Sequence, residues 1–170
     1  MKYIFHISRY EAEAINPIAN KMNIDAEKTA LISITEDDEY VDLKNGWKHV
    51  LRLHFWDFDD ILETKVEEIS KEKNLKMTLF EKYHAQEILY FIKNLPENID
   101  TIYIHCEAGV SRSAAVRKFL CDYYGQYCDW LPTKKVPYHD ESLTFDDTYN
   151  RRVYRILHEV WNNETNTRTD

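Results

Sequence analysis

Short apolar runs and longer charged stretches alternate along this chain. Four runs have the length and composition of strands; they are residues 3–7, 30–34, 50–56 and 101–104. The run 30–34 is expected to be buried, and apolar residues alternate along 50–56. Three longer stretches carry apolar residues at the spacing of one helix face; they are residues 78–95, 113–124 and 150–161. Because strands alternate with helices, the pattern predicts an α/β fold. A central, mostly parallel sheet of about four to five strands is expected to be flanked by helices.

Capping residues indicate where several helices begin and end. Ser8 is followed by Glu11 at the spacing of a capping box, which predicts a short helix after the first strand. Thr78 and Glu81 repeat this spacing and are predicted to open the first long helix. Gly125 stands where the residue after the second long helix would take a left-handed conformation.

The length of the chain fits one domain. With 170 residues, the chain is expected to form a single domain over residues 1–161, followed by a polar, flexible tail at 162–170. The stretch 61–77 is rich in charge and weakly helical. We interpret it as a solvated helix in preference to a flexible excursion over a site.

Composition narrows the classes of function. The formal net charge of −8 argues against a broad nucleic-acid-binding surface, which needs clustered Lys and Arg. No apolar run approaches the roughly 18 residues of a membrane helix, and no signal peptide is recognisable. Three cysteines do not suggest a disulfide framework. We therefore expect a cytoplasmic protein without nucleic-acid or membrane partners. The histidines lack the spacing of metal ligands, so neither a metal nor another cofactor is expected; they include His6, His49, His54 and His84.

The strongest chemical signal is the segment TIYIHCEAGVSRSAAVRKFL at residues 101–120. A strand ends at His105 and Cys106, a loop follows, and Arg112 and Ser113 open a helix. Amides curled at a helix N-terminus bind anions, and an arginine fork pairs two phosphate oxygens. The segment therefore predicts a phosphate site formed by Arg112 and the main chain of the loop. The loop residues are Glu107, Ala108, Gly109, Val110 and Ser111.

The same surroundings favour a reactive thiol. Helix N-termini and nearby cations make a thiol more acidic than the free group, whose pKa is about 8.5. We therefore expect Cys106 to attack phosphorus as a thiolate and to form a phosphocysteine intermediate. Ser113 is expected to hydrogen-bond the sulfur as it leaves in the second step. His105 is expected to support the loop, since a thiolate needs no base.

These residues resemble a known family. HCEAGVSRS at residues 105–113 is similar to the HCxxGxSRS signature loop of the dual-specificity phosphatases. The order of helix, strand, loop and helix is also similar, and NRRV at 150–153 resembles the segment that packs behind the loop in these enzymes. The resemblance covers about residues 48–160. It implies a cysteine-dependent protein tyrosine or dual-specificity phosphatase that uses no metal.

The resemblance also implies a general acid. Enzymes of this family use an aspartic acid on the loop after the strand beside the signature loop, and WDFDD at residues 56–60 occupies that place. We choose Asp57 because it directly follows the alternating strand, with Asp59 and Asp60 as alternatives. This sequence departs from the family in one respect, because the acid lies further before Cys106 than is usual.

The expected substrate is a phosphorylated protein or peptide, with phosphotyrosine favoured on leaving-group grounds. Two other hypotheses remain open. The first is a catalytically silent phosphate-binding module of the pseudophosphatase kind. The second is a phosphatase for RNA 5′ ends or phosphoinositides. Retention of Cys106 distinguishes the chain from inactive relatives, and its acidity disfavours the polyanionic substrates.

Overall fold

The computed structural model describes residues 3–16, 24–60, 63–124 and 148–166. In these residues a single sheet has four strands: β1 (Tyr3–Ser8), β2 (Thr29–Thr35), β3 (His49–His54) and β4 (Thr101–Cys106). The strand order is β1-β4-β2-β3, and every neighbouring pair is parallel. The prediction of an α/β fold with a parallel sheet is confirmed.

Five described helices surround the sheet: α1 (Arg9–Ala14), α2 (Glu63–Lys73), α3 (Lys82–Lys93), α4 (Arg112–Tyr124) and α5 (Arg151–Asn166). Helix α5 packs between α3 and α4, while α4 also contacts β1 and β4, and α3 contacts β3. None of the helices in the described ranges is long and apolar enough to cross a membrane.

The core lies between the sheet and the layer formed by α3, α4 and α5. Strand β2 is buried at all of its seven positions, as expected for an interior strand of a parallel sheet. Aromatic rings fill the space above it, and Phe55 and Phe80 meet edge to face with centroids 4.8 Å apart. The core also includes Ile32, Ile34, Ile102, Ile104, Ile88, Phe119, Val153 and Leu157.

The first predicted capping box is confirmed, and the second is wrong. Ser8 and Glu11 cap α1 reciprocally. Thr78 does not open α3, because its amide and hydroxyl both donate to the carboxylate of Asp37, at 2.6 and 2.8 Å. The helix begins only at Lys82, preceded by Glu81. A tertiary hydrogen bond therefore displaces the start that the local sequence indicated.

Other boundaries shift by a few residues. Strand β3 ends at His54, earlier than predicted, and β4 continues to Cys106. Helix α5 continues to Asn166, beyond the predicted end at residue 161. Helix α2 lies within the stretch 61–77, and Val66 is its buried residue, which agrees with a solvated helix. The predicted helix end at Gly125 lies outside the described residues.

All four strands run toward the same edge of the sheet because they are parallel. This edge brings together the residues that follow each strand: Arg9 after β1, Glu36 after β2, Phe55 after β3 and the loop 107–111 after β4. Ligands of open parallel sheets bind at the carboxyl ends of the strands. A ligand site is therefore expected at this edge.

Candidate functional site

Cys106 closes β4 at the carboxyl edge of the sheet. Its side chain is buried, and its Sγ atom lies 3.1 Å from the hydroxyl oxygen of Ser113 in the first turn of α4. Ser113 is itself fully buried. The structure therefore brings together the predicted nucleophile and the residue predicted to assist its departure.

The loop between Cys106 and α4 is fixed against the end of β1. Gly109 has a φ of +74°, and a Cβ atom at this position would lie 2.5 Å from the carbonyl carbon of Ile7 and from the amide of Ser8. Its carbonyl oxygen is 2.7 Å from Nδ1 of His6, and the amide of Arg9 donates to the carbonyl of Glu107. Only glycine fits this left-handed position against the neighbouring backbone.

The other loop residues differ in their contacts. The Ser111 carbonyl accepts hydrogen bonds from Ala115 and Asn150, and the carbonyl of Val110 accepts one from Thr148. The carboxylate of Glu107 turns outward to Arg9, with 3.4 Å between Oε2 and the guanidinium. Ala108, in the same loop, is exposed.

His105 lies just before the nucleophile and is fully buried. Its Nε2 atom is 2.7 Å from the hydroxyl oxygen of Ser33, the residue opposite it on β2. Burial lowers the pKa of His105 to about 4. The ring is thus neutral near pH 7 and ties the end of β4 to β2, while its role in supporting the loop stays a prediction.

The buried ring of His105 makes the protein less stable in acid. Its folded-state pKa of about 4 lies below the ordinary value of 6.5. The unfolded chain therefore takes up a proton at this residue as the pH falls below about 6.5, whereas the folded chain does so only near pH 4. We expect this residue to lower the free energy of unfolding by about 2 kcal/mol between pH 7 and pH 5.

The His105→Gln variant tests this expectation. Its amide does not titrate and can keep the hydrogen bond to Ser33. Urea unfolding at pH 7 and pH 5 should then show a smaller acid-dependent loss than in the wild type, by about 2 kcal/mol. Burial also lowers the pKa of His84 to about 4, so part of the loss must persist in the variant. Equal losses in the two proteins would contradict the assignment.

Arg112 opens α4 and is almost fully buried, with 2% of its surface exposed. One terminal nitrogen, NH1, donates to the carbonyl oxygen of Phe55 at 2.8 Å. The other edge of the guanidinium faces two carboxylates: NH2 is 3.5 Å from Oε1 of Glu36, and Nε is 3.9 Å from Oδ2 of Asp57. Within the described residues Nε has no hydrogen-bond partner.

The three candidate acids have separate places. Asp57 Oδ1 accepts hydrogen bonds from the hydroxyl of Ser111 at 2.7 Å and from the amide group of Asn150 at 2.8 Å. Asp59 accepts one from the main-chain amide of Arg152 in the first turn of α5, and Asp60 pairs with Arg155. Of the three, Asp57 is the one that contacts the loop and Arg112.

Asn150 is a site residue that we did not predict. Its side-chain amide donates to Asp57 and to the carbonyl of Phe58, while its oxygen caps α5 by accepting from the amide of Val153. The residue therefore fixes the Asp57 loop to the start of a helix. The resemblance of residues 150–153 to the family segment behind the loop was the available signal.

Glu36 was also missed. It follows β2 directly, and a carboxylate at the carboxyl end of a predicted interior strand was the signal that could have found it. Burial raises the pKa of Glu36, the charge of Arg112 opposes this, and the neighbouring carboxylates add to it.

Among the described residues, no group of three or more His, Cys, Asp or Glu side chains is placed to hold a metal ion. Comparison of the chain with protein-family models, with curated proteins and with solved structures gives no match.

Proposed function

We propose that the protein is a metal-independent phosphomonoesterase of the cysteine-dependent tyrosine/dual-specificity type. One observation carries the proposal: a buried thiol at the end of β4, a buried guanidinium at the start of α4 and the carboxylate of Asp57 meet at one edge of a parallel sheet. Arg112 keeps an edge whose Nε donor has no hydrogen-bond partner among the described residues, and such an edge suits two oxygens of a phosphoryl group.

The chemistry has two steps. In the first, the thiolate of Cys106 attacks phosphorus, the sulfur–phosphorus bond forms, and the bond to the leaving oxygen breaks as Asp57 gives that oxygen a proton. In the second, Asp57 takes a proton from water, which attacks phosphorus and releases the thiolate. Ser113 stabilises the departing sulfur, from which its hydroxyl is 3.1 Å away. Arg112 and the amides of the loop hold the phosphoryl oxygens in both transition states.

The substrate class follows from the leaving group and the loop. A phenol, with a pKa near 10, leaves more readily than the alkoxide of serine or threonine, which favours phosphotyrosine. The loop side chains of Glu107, Ala108 and Val110 carry no positive charge. A protein or peptide substrate in the cytoplasm is therefore favoured over a polyanionic lipid headgroup or an RNA end.

Direct observation of the intermediate tests the proposal. The wild-type protein, with a chelator present, is mixed with para-nitrophenyl phosphate or a phosphotyrosine peptide and quenched in acid within the first turnover. We expect phosphate release and a phosphoryl group on the peptide that contains Cys106. Binding of the phosphopeptide without turnover would instead indicate a silent phosphate-binding module. Hydrolysis that stops with the chelator would contradict the mechanism.

A further inference from the structure

Glu36 lies against the arginine that the proposed mechanism uses. It follows β2 directly, its side chain is 27% exposed, and its Oε1 atom is 3.5 Å from NH2 of Arg112. Arg112 is buried, so solvent screens this pair weakly. The proposed mechanism gives Glu36 no task.

The position of Glu36 on the guanidinium matters. An arginine presents Nε and NH2 side by side, as a fork that binds two oxygens of one anion. NH1 of Arg112 is already bound to the carbonyl of Phe55. The fork is therefore the edge left for a phosphoryl group. Its NH2 end faces Glu36, and its Nε end faces Asp57.

We propose that Glu36 sets a proton requirement for substrate binding: a phosphoryl dianion occupies the Arg112 fork only when the Glu36 carboxylate has taken up a proton. This inference rests on the proposed function. It adds a specificity-determining residue, since Glu36 selects the ionisation state of the complex without exchanging a proton with the reacting atoms.

The surrounding charges support this role. Arg112 attracts the ionised carboxylate, whereas Asp57, Glu39 and Glu107 repel it. Burial raises the pKa of Glu36 more than Arg112 lowers it. His54 contacts the main chain here, with Nδ1 at 3.4 Å from the carbonyl oxygen of Glu36.

An incoming dianion brings two more negative charges to the same guanidinium. Like charges at one site raise the pKa of a carboxylic acid further. The lowest-energy complex then takes one proton from solvent at Glu36, in addition to the proton that Asp57 holds as the acid. A site with both carboxylates ionised would oppose the dianion.

The consequence is a pH dependence with a definite sign. Because burial raises the pKa of Glu36, its protonated fraction grows as the pH falls, so the affinity for a dianion should fall as the pH rises. Replacing Glu36 with glutamine removes its contribution to this pH dependence, while the contribution of Asp57 remains. The variant should therefore bind a dianion more tightly above neutrality.

Sulfate is a suitable probe because it carries two negative charges throughout the range from about pH 5.5 to pH 8. Its dissociation constant is measured at constant ionic strength by following the main-chain amide signals of residues 107–112 in NMR titrations. The wild type, Glu36→Gln and Glu39→Gln are compared. Glu39 is the matched control, because it is an acidic residue of the same loop that contacts Arg9 and not Arg112.

We expect Glu36→Gln to bind sulfate about tenfold more tightly than the wild type at pH 7.5, and we expect this difference to shrink as the pH is lowered to 5.5. Glu39→Gln should stay within about threefold of the wild type at both values. Weaker binding by Glu36→Gln at both pH values would show that Glu36 orients Arg112, which overturns the inference. So would identical pH profiles for the wild type and Glu36→Gln.

The two proposals fail in different ways. If sulfate shifts the loop amides and the wild type hydrolyses aryl phosphates, equal profiles overturn the role of Glu36 alone. If none of the three proteins binds sulfate at the highest concentration tested and the wild type does not hydrolyse aryl phosphates, both the proposed function and this inference are wrong.

Discussion

The Cys106→Ser variant is expected to hydrolyse aryl phosphates at least about 10⁴-fold more slowly than the wild type, because a serine hydroxyl is a far weaker nucleophile than a thiolate. The loss should appear in kcat. The Arg112 fork and the loop amides remain, so the variant should bind sulfate with a dissociation constant within a few fold of that of the wild type. Steady-state kinetics with para-nitrophenyl phosphate and the sulfate titration measure the two effects.

The geometry around Cys106 makes this variant informative. Serine is slightly smaller than cysteine, and the side chain at 106 contacts the hydroxyl of Ser113. A serine can keep that hydrogen bond, so the fold should survive, and the melting temperature checks this. Residual activity near the wild-type level in a pure Cys106→Ser preparation would rule out a phosphocysteine mechanism.

Ser113→Ala separates the two steps and provides a comparison. It keeps the proposed nucleophile but removes the hydroxyl proposed to stabilise the departing thiolate, so the phosphocysteine should accumulate before slow release. Loss of sulfate binding in both variants would point to collapse of the loop and not to missing chemistry.

The sheet could be predicted because its strands are short apolar runs that alternate with helical stretches along the chain. Strand β2 is the clearest case, with all seven positions buried between β4 and β3. The ends of the strands and helices were harder to predict, since they depend on contacts with residues distant in the sequence. Thr78 has the sequence features of a helix cap, yet Asp37 takes both of its donors.

The local part of the site was predictable for a similar reason. Cys106, the loop and the first turn of α4 are consecutive, so the strand–loop–helix order alone places thiol, amides and guanidinium together. All of these groups belong to one short segment of the sequence. No knowledge of the sheet order is needed to find it.

The distant part of the site depends on topology. Glu36 reaches Arg112 because β2 lies next to β4 in the sheet, and Asn150 reaches Asp57 because α5 begins beside the loop. The sequence favoured Asp57 over Asp59 and Asp60 only by its position directly after the strand. Helix α5 distinguishes them, since its first turns bind Asp59 and Asp60 and leave Asp57 to the loop.

These assignments form one electrostatic arrangement. The buried positive charge of Arg112 faces the carboxylates of Glu36 and Asp57, and in the proposed mechanism a phosphoryl dianion must join them. Such a site works only if protons accompany the substrate. The proposed mechanism takes one proton from Asp57, and the role proposed for Glu36 accounts for a second. The acid is therefore best tested separately from the binding of the anion.

The Asp57→Asn variant is expected to lower kcat by about 10²- to 10³-fold, because it removes the group proposed to donate the proton in the first step and to act as the base in the second. The effect should grow as the leaving group becomes more basic. A series of aryl phosphates with phenols of increasing pKa measures this, since the rate of the variant should fall steeply along the series while that of the wild type stays nearly level.

The chain offers close controls for this experiment. In Asp57→Asn the amide oxygen can still accept from Ser111 and Asn150, so the loop should hold its position. Asp59→Asn keeps an acceptor for the start of α5, and Asp60→Asn loses an exposed pair with Arg155. Both should keep kcat within about threefold of the wild type. Loss of the general acid should make the rate depend steeply on the basicity of the leaving oxygen, since nothing then protonates that oxygen. A steep dependence in Asp59→Asn with none in Asp57→Asn would therefore assign the acid to residue 59.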